Sequence, residues 1–356
     1  MKKYIIMLLA LCLVLSGCGK EAEETTVPST QPATEPVVET IKETLPPPTE
    51  TVAVQGPTDP LTGEAVAQEI TSRPYAIMLN NHEEALPHCG VSAAGVIYET
   101  CVEGGMTRYM ALFSDPAAAG PIGSVRSARP PFVDIVHGYD AIYSSASAAQ
   151  NVLDMISEQD LDYINALSSG YFYRDEERLE YMAYEHTLFI EGADLVKLAQ
   201  ENEMRLNHKS DASYGLTFDD DAAFGGAPAE RIDVSFQEGG KQTHLTFDPE
   251  KGAYRLAQYG LEYVDGNTDE VIPFRNVLIL NANRWVLSNG IHVQMDTVGE
   301  GTGYYARDGK LVPIKWSRSD VSEPFTYTYE DGKPLTFGVG KTYVAVIQDG
   351  SPVEYY

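Results

Sequence analysis

Arg126 and Arg129 lie three residues apart in the segment IGSVRSARPPFVD, directly before two prolines. Prolines are common at the first position of a helix, and a residue before proline is biased towards extended backbone. We therefore expect Arg129 at a strand-to-helix corner. Backbone N–H groups at a helix N-terminus favour anions, and a guanidinium group binds carboxylate or phosphate through paired hydrogen bonds. The segment predicts an anion site, with Ser127 as a neutral donor. The alternative is that both arginines pair with the chain's own carboxylates and only brace the corner.

The residues before this corner have the pattern of a β-hairpin. Apolar runs at residues 96–102 and 106–113 flank a Glu-Gly-Gly turn, and glycine adopts positive φ without steric cost. The second run carries Arg108, which we expect at the same site. Glutamates of the hairpin are expected to orient the guanidinium groups. The full set of expected supporting residues is Glu99, Glu103, Gly104, Gly105, Asn81 and His82.

Residues 59–196 contain arginine but no lysine. Arginine keeps its charge when partly buried and presents a fixed fork to an anion, so Arg174 and Arg178 are expected to join the pocket. If a bond is broken there, Glu103 and His186 are the candidate catalytic residues, because either could act as a base. The alternative for His186 is a hydrogen-bonded structural histidine, and for Glu103 an arginine partner.

The whole chain is strongly acidic. Its 356 residues carry 52 Asp and Glu against 25 Lys and Arg, a formal charge of -27. The long-range field therefore repels phosphate, which argues against nucleic acid as a partner and makes any anion site a local one. The sequence has no CxxC pair, calcium loop or phosphate loop, so we expect neither a metal nor a cofactor.

The N-terminus carries a targeting signal. In residues 1–18 two lysines precede a short apolar run, which ends in Leu-Ser-Gly-Cys18. This tetrapeptide resembles the bacterial lipobox, which implies lipidation of Cys18 and anchoring on the extracytoplasmic face of the cell membrane, without a spanning helix. The alternative is an ordinary secretory signal. Residues 19–58, rich in Glu, Thr and Pro, are expected to form a disordered tether.

The remaining chain predicts an α+β protein of two domains. Residues 59–211 have strand, loop and helix patterns typical of an α/β sandwich-like domain, including a capping box formed by Ser147 and Gln150 at one helix start. Residues 212–356 have short alternating runs and turns, so a mostly β domain is expected. Cys89 and Cys101 could be a disulfide or two free thiols, and the spacing does not decide.

Four segments resemble successive blocks of the YerB-like bacterial lipoproteins: RPYAIMLNNH, AAGVIYETCVEGGMTRYMALF, IGSVRSARPPFVD and YRDEERLEYMAYEHTLF. The resemblance covers almost all of the folded part. It implies a lipid-anchored extracytoplasmic protein with two domains of unknown function, and no established reaction. The matching residues are Asn81, His82, Glu99, Glu103, Gly104, Gly105, Thr107, Arg108, Gly123, Val125, Arg126, Ser127, Arg129, Arg174, Arg178 and His186.

The chain departs from the family pattern in two places. Residues 144–147 read Ser-Ser-Ala-Ser where relatives tend to carry a histidine and glycines, and Leu86 stands where an arginine is common. A catalytic histidine at the first place would be absent from this chain.

These observations predict a lipid-anchored envelope protein that holds an anionic, phosphate- or carboxylate-bearing ligand in an arginine-lined pocket. A cell-wall or lipid-linked molecule is the expected ligand, from location alone. One alternative is an envelope phosphotransferase or phosphodiester hydrolase, loosely similar to the LytR-CpsA-Psr enzymes, whose acidic metal-binding residues have no counterpart here. Another is a scaffold that docks an envelope protein partner.

Overall fold

The computed structural model describes residues 56–209 and 214–356, which all belong to one compact unit. The first half of this part alternates strands with three α-helices. In chain order these elements are β1 (Tyr75–Leu79), β2 (Val96–Cys101), β3 (Thr107–Phe113), β4 (Pro121–Gly123), α1 (Pro130–His137), β5 (Ile142–Ser145), α2 (Gln150–Glu158), β6 (Tyr163–Asn165), β7 (Tyr173–Arg174), β8 (Leu188–Glu191) and α3 (Gly192–Glu201).

The second half contains strands and no α-helix among the residues described. The strands are β9 (Ala227–Pro228), β10 (Arg231–Ser235), β11 (Gln242–Asp248), β12 (Ala253–Gln258), β13 (Leu261–Glu262), β14 (Pro273–Phe274), β15 (Asn276–Ala282), β16 (Arg284–Val286), β17 (Val293–Met295), β18 (Gly299–Arg307), β19 (Lys310–Arg318), β20 (Thr326–Tyr329), β21 (Thr342–Gln348) and β22 (Val353–Tyr355). A mixed α/β N-terminal region and a β-rich C-terminal region are thus confirmed.

One large mixed sheet connects the two regions. It has eleven strands, ten of them in the order β20-β19-β18-β15-β21-β2-β3-β1-β5-β6, with β9 beside β19. Near the C-terminus, β21 lies between β15 and β2 and runs parallel to both. Strands β1, β2 and β3 are buried along their whole length, which explains their continuous apolar runs. The buried side chains of both regions form a single apolar core.

The predicted hairpin is present: β2 and β3 pair antiparallel, and a 3₁₀ turn at Glu103–Gly105 connects them. The predicted helix after the proline pair is also present, as α1. The predicted capping box at α2 is wrong. Ala149 is the N-cap residue of α2 and makes no side-chain cap bond, while Ser147 has a φ of 61° and belongs to the preceding turn.

Cys89 and Cys101 are buried free thiols, which settles their redox state in this structure. The expected signal segment, the lipobox at Cys18 and most of the expected tether lie outside the described residues, as does the expected boundary at residues 211 and 212. The end of the tether segment is described, and the backbone oxygen of Pro57 accepts a hydrogen bond from Val66 N. None of the helices in the described part is long and apolar enough to cross a membrane.

Candidate functional site

The segment between β4 and α1 forms the predicted corner. Val125 extends the sheet beside Leu79 at the end of β1, and Arg126 N donates to Met78 O. Arg129 then has φ −135° and ψ 151°, and the helix begins at the next residue. The extended conformation expected for a residue before proline is therefore confirmed.

This corner lies at one edge of the large sheet. Strands β1, β2, β5 and β6 all point the same way, and their carboxyl ends meet there. Strand β3 is antiparallel to β1 and β2, so its first residues, Thr107 and Arg108, start at the same edge. In open sheets with helices, ligands bind beyond the carboxyl ends of the strands.

Arg129 and Glu103 form the closest ion pair of the corner. Arg129 Nε donates to both carboxylate oxygens, at 2.9 and 2.7 Å, and its Nη2 also contacts Oε1. Burial alone would raise the pKa of Glu103, but the hydrogen bonds and charge of Arg129 lower it to about 2. Glu103 is therefore the ion-pair partner of Arg129 and stays ionised over the physiological range.

Arg108 is buried beside this pair. Its Nη1 donates to the backbone oxygen of Ser127 at 2.5 Å, and its Nη2 lies 4.0 Å from Glu103 Oε1. Burial, followed by the positive charges of Arg129 and Arg126, lowers the pKa of Arg108 to about 9, against an opposing contribution from Glu103. We call Arg108, Arg126 and Arg129, with Glu103, the arginine corner. It carries three guanidinium groups and one carboxylate.

Arg126 is the most accessible of the three arginines. Its Nη2 lies 3.1 Å from Glu185 Oε1, and its Nε is buried with no hydrogen-bond partner in the described part of the chain. The same is true of Ser124 Oγ, just before Val125, and of Tyr143 Oη. Burial raises the pKa of Tyr143 well above its usual value, while the positive charges of Arg108 and Arg129 act to lower it. The corner thus has polar atoms that the described residues leave unused.

Arg174 and Arg178, which were expected to line the same pocket, make their hydrogen bonds to residues outside the arginine corner. Arg174 Nη1 donates to Tyr184 O at 2.6 Å, and its guanidinium group lies 3.8 Å from the centre of the Tyr184 ring. Arg178 is buried, and its Nη2 donates to Pro87 O at 2.8 Å and contacts Cys89 Sγ at 3.2 Å. Both side chains brace loops in this structure.

Glu99, expected to orient an arginine, instead pairs with Lys241. The carboxylate is fully buried and also accepts from Tyr343 Oη and from Asn81 Nδ2, the latter at 3.0 Å. Burial lowers the pKa of Lys241, although Glu99 acts in the opposite direction. Lys241 follows β10 in the other region, and no local sequence pattern links it to Glu99.

His186, one of the two candidate catalytic residues, is buried near the end of β1. Its Nδ1 lies 2.6 Å from the amide nitrogen of Asn80, and its Nε2 lies 3.6 Å from Glu84 Oε2. The ring of His82 stacks on it at 5.2 Å between centroids. Burial and the neighbouring His82 lower the pKa of His186. His82 is therefore close to His186, and the two histidines share a carboxylate neighbour.

His292 is a second residue that sequence reasoning missed. It precedes β17, is buried, and its Nδ1 lies 3.0 Å from Asn289 Nδ2. Burial lowers its pKa, and the charges of Arg129 and Arg108 lower it further, whereas Glu103 raises it. The C-terminal region therefore contributes a side chain next to the arginine corner. The position of His292 in the sequence gives no indication that it lies near the arginine corner.

The sequence matches two family models, described as the N-terminal and C-terminal domains of a protein of unknown function, DUF3048. The first matches residues 61–205 and the second residues 232–344. The chain belongs to this family, as the YerB-like sequence blocks predicted.

A relative from Bacillus subtilis (strain 168), named "Putative lipoprotein YerB", is 26% identical over 304 residues, which are 82% of this chain and 86% of the relative. The crystal structure of YerB protein from Bacillus subtilis superposes with a TM-score of 0.73 at 23% identity, covering 83% of this chain and 99% of that one. The fold described above is therefore shared with a solved structure.

Proposed function

We propose that this chain is an extracytoplasmic envelope lipoprotein that binds a phosphate- or carboxylate-bearing ligand at the arginine corner. The observation that carries the proposal is the charge of the corner. Arg108 and Arg129 lie beside Glu103, and Arg126 is close enough to lower the pKa of Arg108, in a protein whose formal charge is -27.

Like charges at close range oppose each other most strongly where water is excluded. Glu103 is fully engaged by Arg129 and lies at 4.0 Å from Arg108, while Arg126 meets only the half-exposed Glu185 among the carboxylates described. A bound anion would compensate the remaining positive charge. This charge excess favours a phosphate or carboxylate group over a neutral ligand.

Unused polar atoms around the corner support the same proposal. Buried polar groups almost always have a partner, so each exception calls for an explanation. Arg126 Nε, Ser124 Oγ and Tyr143 Oη lack one among the described residues. Ser124 and Tyr143 are fully buried, so Arg126, whose side chain is 28% exposed, is the one of the three that a ligand oxygen would reach. The position beyond the carboxyl ends of β1 and β5 is also the usual place for a ligand in such a sheet.

The cellular location rests on two further observations. The Leu-Ser-Gly-Cys18 sequence after a short apolar run is the pattern of a lipidated N-terminus, and the Bacillus subtilis relative is named as a lipoprotein. An acylated Cys18 would anchor the chain at the extracytoplasmic face of the cell membrane. Ligands with access to the corner are then molecules of the cell envelope, such as wall polymers or lipid-linked precursors that carry phosphate or carboxylate groups.

Thermal unfolding of the purified full chain tests the proposal. Titrations with inorganic phosphate, diphosphate, glucuronate and teichoic acid fragments are compared for wild type, Arg126→Gln and Arg129→Gln. A ligand that binds only the folded protein raises the melting temperature as its concentration exceeds the dissociation constant. We expect at least one anion to stabilise wild type and to lose this effect in both variants.

The matched control is Arg255→Gln. Arg255 is a half-exposed arginine that pairs with Glu262 and Asp248 in the C-terminal sheet, so its loss should leave the anion effect unchanged. If no anion stabilises wild type, and the two corner variants merely melt earlier, the arginines are structural braces and the proposal is wrong. The scaffold alternative would then be favoured.

A further inference from the structure

We propose that His82, Glu84 and His186 form a binding site for a divalent metal ion of the zinc class. One potential ligand atom from each of these three residues lies within 4.8 Å of the other two. Glu84 Oε2 is 3.6 Å from His186 Nε2 and 4.0 Å from His82 Nδ1. This inference goes beyond the anion proposal and does not depend on it.

Two imidazoles and one carboxylate are a donor set that zinc uses in catalytic sites, where water or a substrate fills the fourth position. Bonds of about 2.0–2.1 Å to a tetrahedral ion place the ligand atoms roughly 3.3 Å apart. The observed spacings exceed this by less than about 1.5 Å. Glu84 and His82 have side chains that are 69% and 43% exposed, so both can move inward without disturbing the core.

One short turn of the backbone carries two of the proposed metal ligands, His82 and Glu84. His82 is the N-cap residue of the 3₁₀ turn Glu83–Ala85, and its Nδ1 accepts a hydrogen bond from Glu84 N at 3.2 Å. This hydrogen bond is exposed to solvent, so a water molecule can accept from the Glu84 N–H when Nδ1 binds a metal. The N-cap residue His82 and the second residue of the turn, Glu84, thus have their ligand atoms 4.0 Å apart.

His186 supplies the fixed part of the site. Its side chain is only 4% exposed, its Nδ1 lies 2.6 Å from Asn80 Nδ2, and its Nε2 is directed at Glu84. A metal at Nε2 requires the proton on Nδ1, so the Asn80 side chain must turn its amide oxygen towards Nδ1 to accept from it. Metal-binding histidines usually have their second nitrogen held by a neighbouring polar group, which fixes the ring orientation. A buried histidine beside two more accessible ligands is well suited to binding an ion from solution.

The surrounding charges are balanced enough for a cation. Arg126 acts on His186 as a positive neighbour, but it is itself paired with Glu185, and Glu84 brings a further negative charge. A borderline ion that favours nitrogen ligands fits this site better than magnesium or calcium, which favour oxygen-rich sites.

The test is zinc binding by the full chain, purified without a histidine tag and dialysed against a chelator. Zinc alone is titrated by competition with a chromophoric chelator, and cobalt(II) is then used as a spectroscopic substitute. We expect one zinc ion per chain, no displacement by magnesium, and visible cobalt absorption typical of a tetrahedral site. His82→Ala and Glu84→Gln should each lose the bound zinc at chelator-competing concentrations. Circular dichroism checks that each variant is folded, since His82 is only partly exposed and caps the turn.

His244→Ala is the matched control, because His244 also contacts a carboxylate, that of Asp233, but lies in the C-terminal sheet. It should retain the zinc ion. Absence of zinc binding by wild type, or equal loss in the control and the two site variants, would overturn the proposal. Arg129→Gln should also retain zinc, so failure of the anion proposal and failure of this one can be told apart.

Discussion

At the scale of residues, the arginine corner depends on one carboxylate. The sequence predicted the extended Arg129 because proline follows it, and it predicted an arginine partner in the neighbouring hairpin turn. It could not predict that Glu99 pairs with Lys241 instead of an arginine, because the two residues are 142 positions apart in the sequence. It also could not show that the Arg178 guanidinium group donates to a backbone oxygen in the loop at Pro87.

Acid should weaken the protein through Glu103. Its pKa falls from 4.5 to about 2 on folding, so its stabilising effect is present above about pH 4.5 and is lost as the pH falls towards 2. The shift corresponds to about 3 kcal/mol of unfolding free energy. We expect Glu103→Gln to be less stable than wild type by up to that amount at neutral pH, with the difference shrinking in acid.

Denaturant unfolding of both proteins at a series of pH values checks this prediction. The exposed change Glu330→Gln serves as a control, since no hydrogen bond or ion pair of its carboxylate is present in the described structure. A stability difference between wild type and Glu103→Gln that stays constant down to about pH 2 would contradict the assigned role.

At the scale of elements, the hairpin turn sets the position of Glu103. The sequence predicted this turn from its two glycines, and both indeed have positive φ, 72° at Gly104 and 75° at Gly105. The helix α1 was predictable from the proline pair. The start of α2 was not predictable, because Ser147 lies in a tight turn before the helix. Its backbone oxygen accepts a hydrogen bond from Ala128 N in the corner segment.

Alanine in this turn should therefore be costly. The left-handed backbone region is disfavoured by about 1–2 kcal/mol for a residue with a Cβ atom, so Gly104→Ala and Gly105→Ala should each lower the unfolding free energy by about that amount. Gly225→Ala is the control, since that glycine has no positive φ and open space around its Cβ position. Chemical denaturation measures all three; equal stability of the turn variants and the control would show that the turn conformation does not constrain the protein.

At the scale of the whole molecule, the N-terminal and C-terminal regions share one sheet and one buried ion pair. The sequence predicted most of the strands but not their order, because β21 reaches its place between β15 and β2 from the end of the chain. Such pairing is decided by contacts between distant segments. Glu99 and Lys241 reinforce it, since each region supplies one charge to a buried site.

Breaking this pair should destabilise both regions together. Lys241→Met leaves the Glu99 carboxylate buried without its charge partner, for which about 3–5 kcal/mol is typical. The double variant with Glu99→Gln should recover part of the loss. Lys333→Met removes an exposed lysine paired with Asp331 and should change stability by less than about 0.5 kcal/mol. Denaturant unfolding measures the free energy of unfolding of all these variants. A loss in Lys241→Met as small as that in the control would show that the buried pair contributes little to stability.

Anion binding at the arginine corner can be measured by isothermal titration of inorganic diphosphate into the full chain. Diphosphate offers several oxygens to the guanidinium groups and to the unused donors near Arg126. We expect saturable binding of one diphosphate per wild-type chain, unchanged in Arg255→Gln and lost in Arg126→Gln when that variant is shown to be folded. Binding of equal strength by Arg126→Gln and wild type, or no binding heat at any accessible concentration, would contradict it.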